Sequence, residues 1–128
     1  MDFKTLVLNR KPNQYLVAPE GYCRNATPHR HAPVFRVDAQ TLEDAFADIA
    51  LAEPRVTRKP ADDGQREFVQ RSALMRFPDT ITVEAIDLGD GTSTLAIYSR
   101  SALGYSDMGV NRKRIDAWLE KLDAALAA

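Results

Sequence analysis

Two segments of the chain carry apolar residues at the spacing of an amphipathic helix. The first begins at Thr41, which with Asp44 resembles a capping box, and ends before Pro54. Its apolar stripe consists of Leu42, Ala45, Phe46, Ile49 and Ala52. The second runs from about residue 108 to the end of the chain. Its apolar stripe consists of Ile115, Trp118, Leu119, Leu122, Ala125 and Leu126. The pattern therefore predicts two helices that each bury one face.

Between these helices the pattern changes to the alternation that is typical of β-strands. We expect four strands, at about residues 55–59, 66–77, 80–88 and 93–100. The segments between them are rich in turn residues, and Gly89-Asp-Gly91 is a strong hairpin signal. Short turns between successive strands indicate an antiparallel meander.

The first 37 residues differ from the rest, because four of the seven prolines lie there. Proline lacks a backbone donor, so we expect an extended N-terminal arm packed on the domain, with short strands at residues 15–18 and 34–37. Residues 38–128 are then a single domain. The predicted fold class is α+β, an antiparallel meander of about four strands flanked in sequence by two helices packed on one face.

Composition and charge exclude several classes of protein. The 128 residues are 45% hydrophobic and 27% charged, as in an ordinary globular domain, and the net charge is -1. This balance argues against a general nucleic-acid surface, which would be strongly basic. The single Cys23 excludes an intrachain disulfide. Neither a signal peptide nor a membrane-spanning run is evident, so we expect membrane association only if a native N-terminal anchor is missing from this chain.

The connection from the last predicted strand to the final helix is unusually basic. It contains Arg100, Arg112, Lys113 and Arg114, and positive side chains in the first turn of a helix oppose the helix dipole. Such broken local rules mark functional or strained sites, and a helix start attracts anions. We therefore expect an anion-binding junction. Its expected residues are Ser99, Arg100, Ser101, Tyr105, Ser106, Asp107, Asn111, Arg112 and Arg114.

The same junction also fits a network that satisfies itself. In that interpretation Asp107 caps the helix and pairs with Arg112 or Arg100, while Asn111 bonds loop backbone. The helical face runs backward through Asn111 and Arg112, so both are expected near the end of the core. Lys113 is expected in solvent.

Catalytic and metal-binding patterns are weak. Residues 104–109 lie between strand and helix as a nucleophile elbow does, but one residue too many follows Ser106. The two histidines, His29 and His31, lie in the arm and are expected to be solvated. With Cys23 they lack a fourth ligand, so we expect no metal and no cofactor.

Several blocks of the sequence resemble a known family. They are Pro12-Asn-Gln-Tyr-Leu-Val-Ala-Pro19, Phe77-Pro-Asp79, Ser99-Arg-Ser101, Gly104-Tyr-Ser-Asp107, Gly109-Val-Asn-Arg-Lys-Arg114 and Trp118-Leu119. Together they look like domain of unknown function 1499 (DUF1499), a bacterial and plant family, over most of the chain and most strongly at residues 97–119. The resemblance implies no catalytic residues. Many relatives look membrane-anchored or exported through an N-terminal apolar segment, which this chain lacks.

These observations support three hypotheses about function. The leading one is a non-enzymatic binding or scaffold domain that holds a small anionic ligand or a partner protein at the junction. The alternative is a hydrolase that uses Asp107 or Ser106 there. The third is a structural component of a membrane-associated assembly, with an apolar outer sheet face. That face would contain Leu74, Ile86, Ala96 and Tyr98.

Overall fold

A mixed β-sheet with helices packed on one face forms the architecture of the protein. The computed structural model describes residues 1–102, 104 and 107–127. In these residues the elements are β1 (Gln14–Ala18), β2 (Arg30–His31), α1 (Ala39–Ala52), β3 (Val56–Lys59), β4 (Gln65–Arg71), β5 (Pro78–Asp87), β6 (Ser93–Ser101) and α2 (Val110–Leu126). The predicted α+β class is confirmed.

The expected four-stranded meander is wrong, because the described part of the chain forms a six-stranded sheet in the order β2-β1-β6-β5-β4-β3. Strands β3 to β6 do follow one another as antiparallel neighbours. Strand β1 adds to the far side of β6, and β2 pairs with β1 in parallel, which makes the sheet mixed. The prolines at positions 12 and 19 flank β1 without interrupting it, and the short strand expected at residues 15–18 is confirmed. The predicted strand at residues 34–37 is reduced to one bridge, from Phe35 to Ser93.

The turn between β4 and β5 lies earlier than the sequence pattern predicted. Strand β4 ends at Arg71, and the chain reverses over residues 72–77. The Phe77 N–H donates to the Ser72 hydroxyl at 3.0 Å, and Arg76 adopts a left-handed φ of 58°. A side-chain acceptor can replace a ladder bond in this way and end a strand. Asp79, which we had expected in a turn, consequently belongs to β5.

The first helix begins at Ala39, two residues before the predicted start. Asp38 is the N-cap, and its carboxylate accepts a hydrogen bond from the Thr41 N–H at 2.7 Å. The two hydrogen bonds from Thr41 lower the pKa of this exposed carboxyl. Aspartate is a strong N-cap, so it replaces the predicted Thr41 in that role. The helix ends at Ala52, ahead of Pro54 as predicted.

Apolar side chains are buried on both faces of the sheet. On the helix face, Phe46 of α1 contacts Phe68 of β4 and Trp118 of α2, with ring centroids 6.1 and 5.9 Å apart. The outer face is covered by N-terminal residues, and its buried apolar cluster is Phe3, Leu16, Ala18, Cys23, Ala96 and Tyr98. Ala96 and Tyr98 therefore do not form the open apolar face that we expected. Among the described residues, no helix combines the length and apolarity that crossing a bilayer requires.

Candidate functional site

The alternation of β6 separates the residues that we expected to converge at the junction. Ser99 is buried and faces the helices, whereas Arg100 lies on the outer face of the sheet. The Arg100 guanidinium lies 4.8 Å from the Tyr98 ring centroid and donates to the Thr82 hydroxyl at 2.8 Å. Successive side chains on a strand point to opposite faces, so Arg100 cannot share a site with Ser99. The prediction that Arg100 belongs to the junction is wrong.

Asn111, in the first turn of α2, is at the centre of a buried polar cluster. Its side chain is fully buried, as predicted, and its Oδ1 accepts from the Ser99 hydroxyl at 2.6 Å and from Arg114 Nη1 at 2.8 Å. Its Nδ2 lies within hydrogen-bonding distance of three acceptors, at 2.6 to 3.2 Å. We call Asn111 and its partners the Asn111 cluster, which consists of Asn13, Ser99, Ser101, Asp107, Asn111 and Arg114.

The N-cap position of α2 is Gly109, and the Asp107 side chain caps the helix from two residues earlier, as expected. Its carboxylate accepts from the Gly109 N–H at 2.8 Å and from the Asn111 N–H at 3.0 Å. Burial tends to raise the pKa of Asp107, but the hydrogen bonds from Asn111 and Gly109 outweigh burial and lower it. The carboxylate thus occupies the position at which an external anion would meet the helix start. The Val110 N–H donates to the Asp107 carbonyl, so Asp107 accepts from three consecutive N–H groups that open α2, counting Val110 with Gly109 and Asn111.

The other basic residues of the first turn lie apart from the cluster. The Arg112 side chain is 74% exposed, and its Nε lies 3.7 Å from Asp116 one turn further along. The expectation that Arg112 approaches the core is wrong, because its position on α2 is rotated from the stripe that begins at Ile115. Lys113 is exposed, as predicted.

Arg114 is the basic residue that enters the protein. Its Nη2 lies 2.7 Å from Asp79 Oδ2, and its Nε donates to Gln70 Oε1 at 2.6 Å. Gln70, Asp79 and Ser101 are register neighbours on three adjacent strands, so they form a polar row beneath the start of α2. Because Phe68, Ile81 and Ile97 on the same face of these strands are buried and apolar, each buried polar residue beside them requires a partner. Gln70 and Asp79 were not assigned to the site from the sequence. The alternation of β5 could have identified Asp79, because it puts this residue on the same face as the apolar Ile81 and Val83.

Two residues of the predicted site, Tyr105 and Ser106, lie outside the described residues. The remaining members divide into those inside the Asn111 cluster and those outside it. Inside are Ser99, Ser101, Asp107, Asn111 and Arg114. Outside are Arg100 on the opposite sheet face and Arg112 in solvent.

An open cleft of about 300 Å³ adjoins the cluster. Arg55, Arg71 and Arg114 line it together with Phe77 and Val110. The first two arginines use one nitrogen each on backbone carbonyls: Arg55 Nε donates to Arg71 O at 2.9 Å, and Arg71 Nη1 donates to Arg76 O at 3.0 Å. Within the described residues neither guanidinium has a carboxylate partner. No further side-chain hydrogen bond of Arg55 or Arg71 is found among the described residues.

A second cleft, of about 460 Å³, lies on the other side of Asp107. Tyr15 and His29 line it with their rings stacked at 5.6 Å, and the Tyr15 hydroxyl donates to Asp116 at 3.0 Å. His29 and His31 are exposed, as expected, but His29 Nδ1 also accepts the Leu16 N–H at 2.9 Å, and partial burial of the ring lowers the pKa of His29. Among residues 1–102, 104 and 107–127, no group of three or more His, Cys, Asp and Glu side chains is arranged to hold a metal.

Comparison with known families assigns the chain to a group. The model of the family described as protein of unknown function (DUF1499) matches residues 8–122, most of the chain. This protein belongs to the DUF1499 family. The resemblance drawn from the sequence blocks is therefore confirmed, and the matched region contains both the Asn111 cluster and the cleft beside it. No curated protein matches the chain.

Proposed function

We propose that this DUF1499 protein is a non-enzymatic binding domain, in which the cleft beside the Asn111 cluster takes an anionic group such as a carboxylate or phosphate. The observation that carries the proposal is the presence of two arginines, Arg55 and Arg71, without carboxylate partners among the described residues at one cleft. Guanidinium groups bind carboxylates and phosphates through paired hydrogen bonds, so this arrangement favours an anion.

The charges of the cleft support the same conclusion. Two carboxylates, Asp79 and Asp107, also line it, but each is engaged within the protein. Arg114 pairs with Asp79, and backbone N–H groups at the start of α2 donate to Asp107. The charge left open to a ligand is therefore that of Arg55 and Arg71.

A hydrolase acting through Asp107 is less well supported. The hydrogen bonds that cap α2 hold the pKa of Asp107 below its ordinary value despite its burial. A carboxylate with a lowered pKa is a weak general base at neutral pH. The Asp107 carboxylate also accepts hydrogen bonds from backbone N–H groups at the start of α2, so it has a structural role there.

Titration with inorganic phosphate and with citrate, followed by backbone amide NMR shifts, tests the proposal. We expect shifts at the cleft residues, and about tenfold weaker binding in Arg71→Gln or Arg55→Gln, because each loses a charged hydrogen bond. Arg58→Gln is the matched control, since Arg58 is an exposed residue of β3 that does not line the cleft. If both cleft variants bind either anion as tightly as the wild type, the proposal is wrong.

A further inference from the structure

The rim of the same cleft exposes an unusual amount of apolar surface. The turn of residues 72–77 contributes Ser72 and Phe77 to the cleft lining, and between them Leu74 and Met75 are 88% and 63% exposed. Phe77, at the end of this turn, is 47% exposed, and Val110, which also lines the cleft, is 45% exposed. A concentration of large apolar side chains at one place on a surface marks an interaction site.

The turn also carries positive charge. Arg71 precedes it and Arg76 lies within it, so Leu74 and Met75 are bracketed by arginines, with Arg55 nearby on the cleft. No salt bridge involves these three arginines in the described part of the chain. A complementary partner must therefore have an apolar region to contact Leu74 and Met75. It must also carry negative charge around that region to contact the arginines.

Hydrogen bonds between its two ends hold the turn of residues 72–77 in this conformation. Ser72 is bonded to Phe77 through both its backbone N–H and its hydroxyl, and Arg71 donates to the Arg76 carbonyl. These bonds close the base of the turn and leave the side chains of Leu74 and Met75 at its tip. Apolar side chains at the tip of a turn can insert into a fluid lipid bilayer without a matching cavity. Insertion into a protein groove would require such a cavity, so the turn favours a bilayer.

We propose that this rim docks the protein on an anionic phospholipid bilayer. Leu74 and Met75 enter the interfacial layer, while Arg71 and Arg76 contact lipid phosphates around them. A headgroup phosphate enters the cleft at Arg55 and Arg71, and this last element rests on the proposed anion-binding function.

Vesicle flotation tests the docking, with one set of vesicles of phosphatidylcholine alone and another of equimolar phosphatidylcholine and phosphatidylglycerol. We expect the wild type to float only with the anionic vesicles, and increasing salt to weaken the association. Leu74→Ser/Met75→Ser should bind these vesicles about tenfold more weakly or worse, because it loses the apolar insertion. Val7→Ser/Leu88→Ser is the matched control, since both residues are exposed and Leu88 follows β5 at the other end of the sheet.

A parallel NMR titration with glycerol 3-phosphate separates the two proposals. The Leu74→Ser/Met75→Ser variant should still bind this soluble phosphate, because its cleft arginines are intact. Glycerol 3-phosphate binding without flotation would overturn bilayer docking and leave the anion-binding proposal standing. Flotation without glycerol 3-phosphate binding would overturn the role of the cleft. Flotation that is equal for both double variants, or binding of a glutamate-rich amphipathic peptide without flotation, would also overturn docking on a bilayer.

Discussion

Arg114 of α2 and Asp79 of β5 form an ion pair at 2.7 Å, with side chains only 8% and 13% exposed. The pair connects the helix to the sheet at the edge of the Asn111 cluster, and Gln70 accepts a further hydrogen bond from the same guanidinium. A buried pair is costly to form, but removing one partner leaves an uncompensated charge. The stability of the junction therefore depends on both residues together.

Replacing Arg114 by methionine should destabilise the protein strongly. Asp79 and Gln70 would lose their donor, and we expect the free energy of unfolding to fall by about 3 kcal/mol. Chemical denaturation at neutral pH measures this change. Arg112→Met is the matched control on the same helix, because the exposed pair of Arg112 with Asp116 is expected to contribute less than about 0.5 kcal/mol.

A double-mutant cycle completes this test. Asp79→Asn combined with Arg114→Met should cost less than the sum of the two single changes, because the second change removes the charge that the first left unpaired. Additive effects, or single variants as stable as Arg112→Met, would show that the pair does not hold the junction together.

Asn111→Asp should reverse the pH dependence of stability at the junction. The introduced carboxyl would lie where Asn111 Nδ2 is now 2.6 Å from Asp107 Oδ2, so two negative charges would share a buried site. Repulsion from Asp107 and burial raise the folded-state pKa of this group and exceed the attraction of Arg114, which is already paired with Asp79, so the full cost applies above that pKa. We expect a loss of about 3 kcal/mol at neutral pH that is partly recovered as the pH falls through the raised pKa.

The wild type should behave in the opposite way in acid. The pKa of Asp107 is lowered on folding, so its contribution is present above the ordinary value of 3.8 and is lost as the pH falls through the lower folded value. Chemical denaturation from neutral pH down to below the ordinary aspartate pKa distinguishes the wild type from Asn111→Asp. Asn111→Ala, which lacks a charge, should be destabilised without the recovery, and a recovery in that variant would contradict the explanation.

His29 should make the protein less stable below its ordinary pKa of 6.5. Burial lowers the folded-state pKa, and the neutral ring accepts the Leu16 N–H. As the pH falls below 6.5 the unfolded chain takes up the proton first, so stability declines until the folded-state pKa is reached. NMR titration of the His29 ring measures that pKa directly, and a value at or above 6.5 would contradict this prediction.

A comparison with His29→Gln isolates the contribution of this one residue. Denaturation at about pH 7.5 and about pH 5.5 brackets the ordinary pKa of histidine. The wild type should lose more stability between these two values than the variant does. An equal loss in both proteins would assign the pH dependence to other groups.

Helices and most strands were predictable because their signals are local. The apolar stripe of α2 and the alternation of β5 and β6 arise from residues a few positions apart, and the structure confirms these elements. The strand at residues 15–18 was predicted, but its place in the sheet was not, because its pairing is distant: Gln14 of β1 lies opposite Arg100 of β6. The local pattern of apolar and polar residues does not predict which strands will pair with each other in the sheet.

The basic junction shows the same division between local and distant information. The sequence by itself determined that positive residues gather around the start of α2, that Asp107 is placed where it could cap this helix and that Asn111 lies on its buried side. Only the tertiary structure decided which arginine enters the protein, because the partner of Arg114 lies 35 residues away on β5. It also placed Arg100 on the opposite sheet face and brought Arg55 and Arg71 to the cleft. Periodicity specifies the face on which a side chain lies, whereas the assembled sheet determines what that face meets.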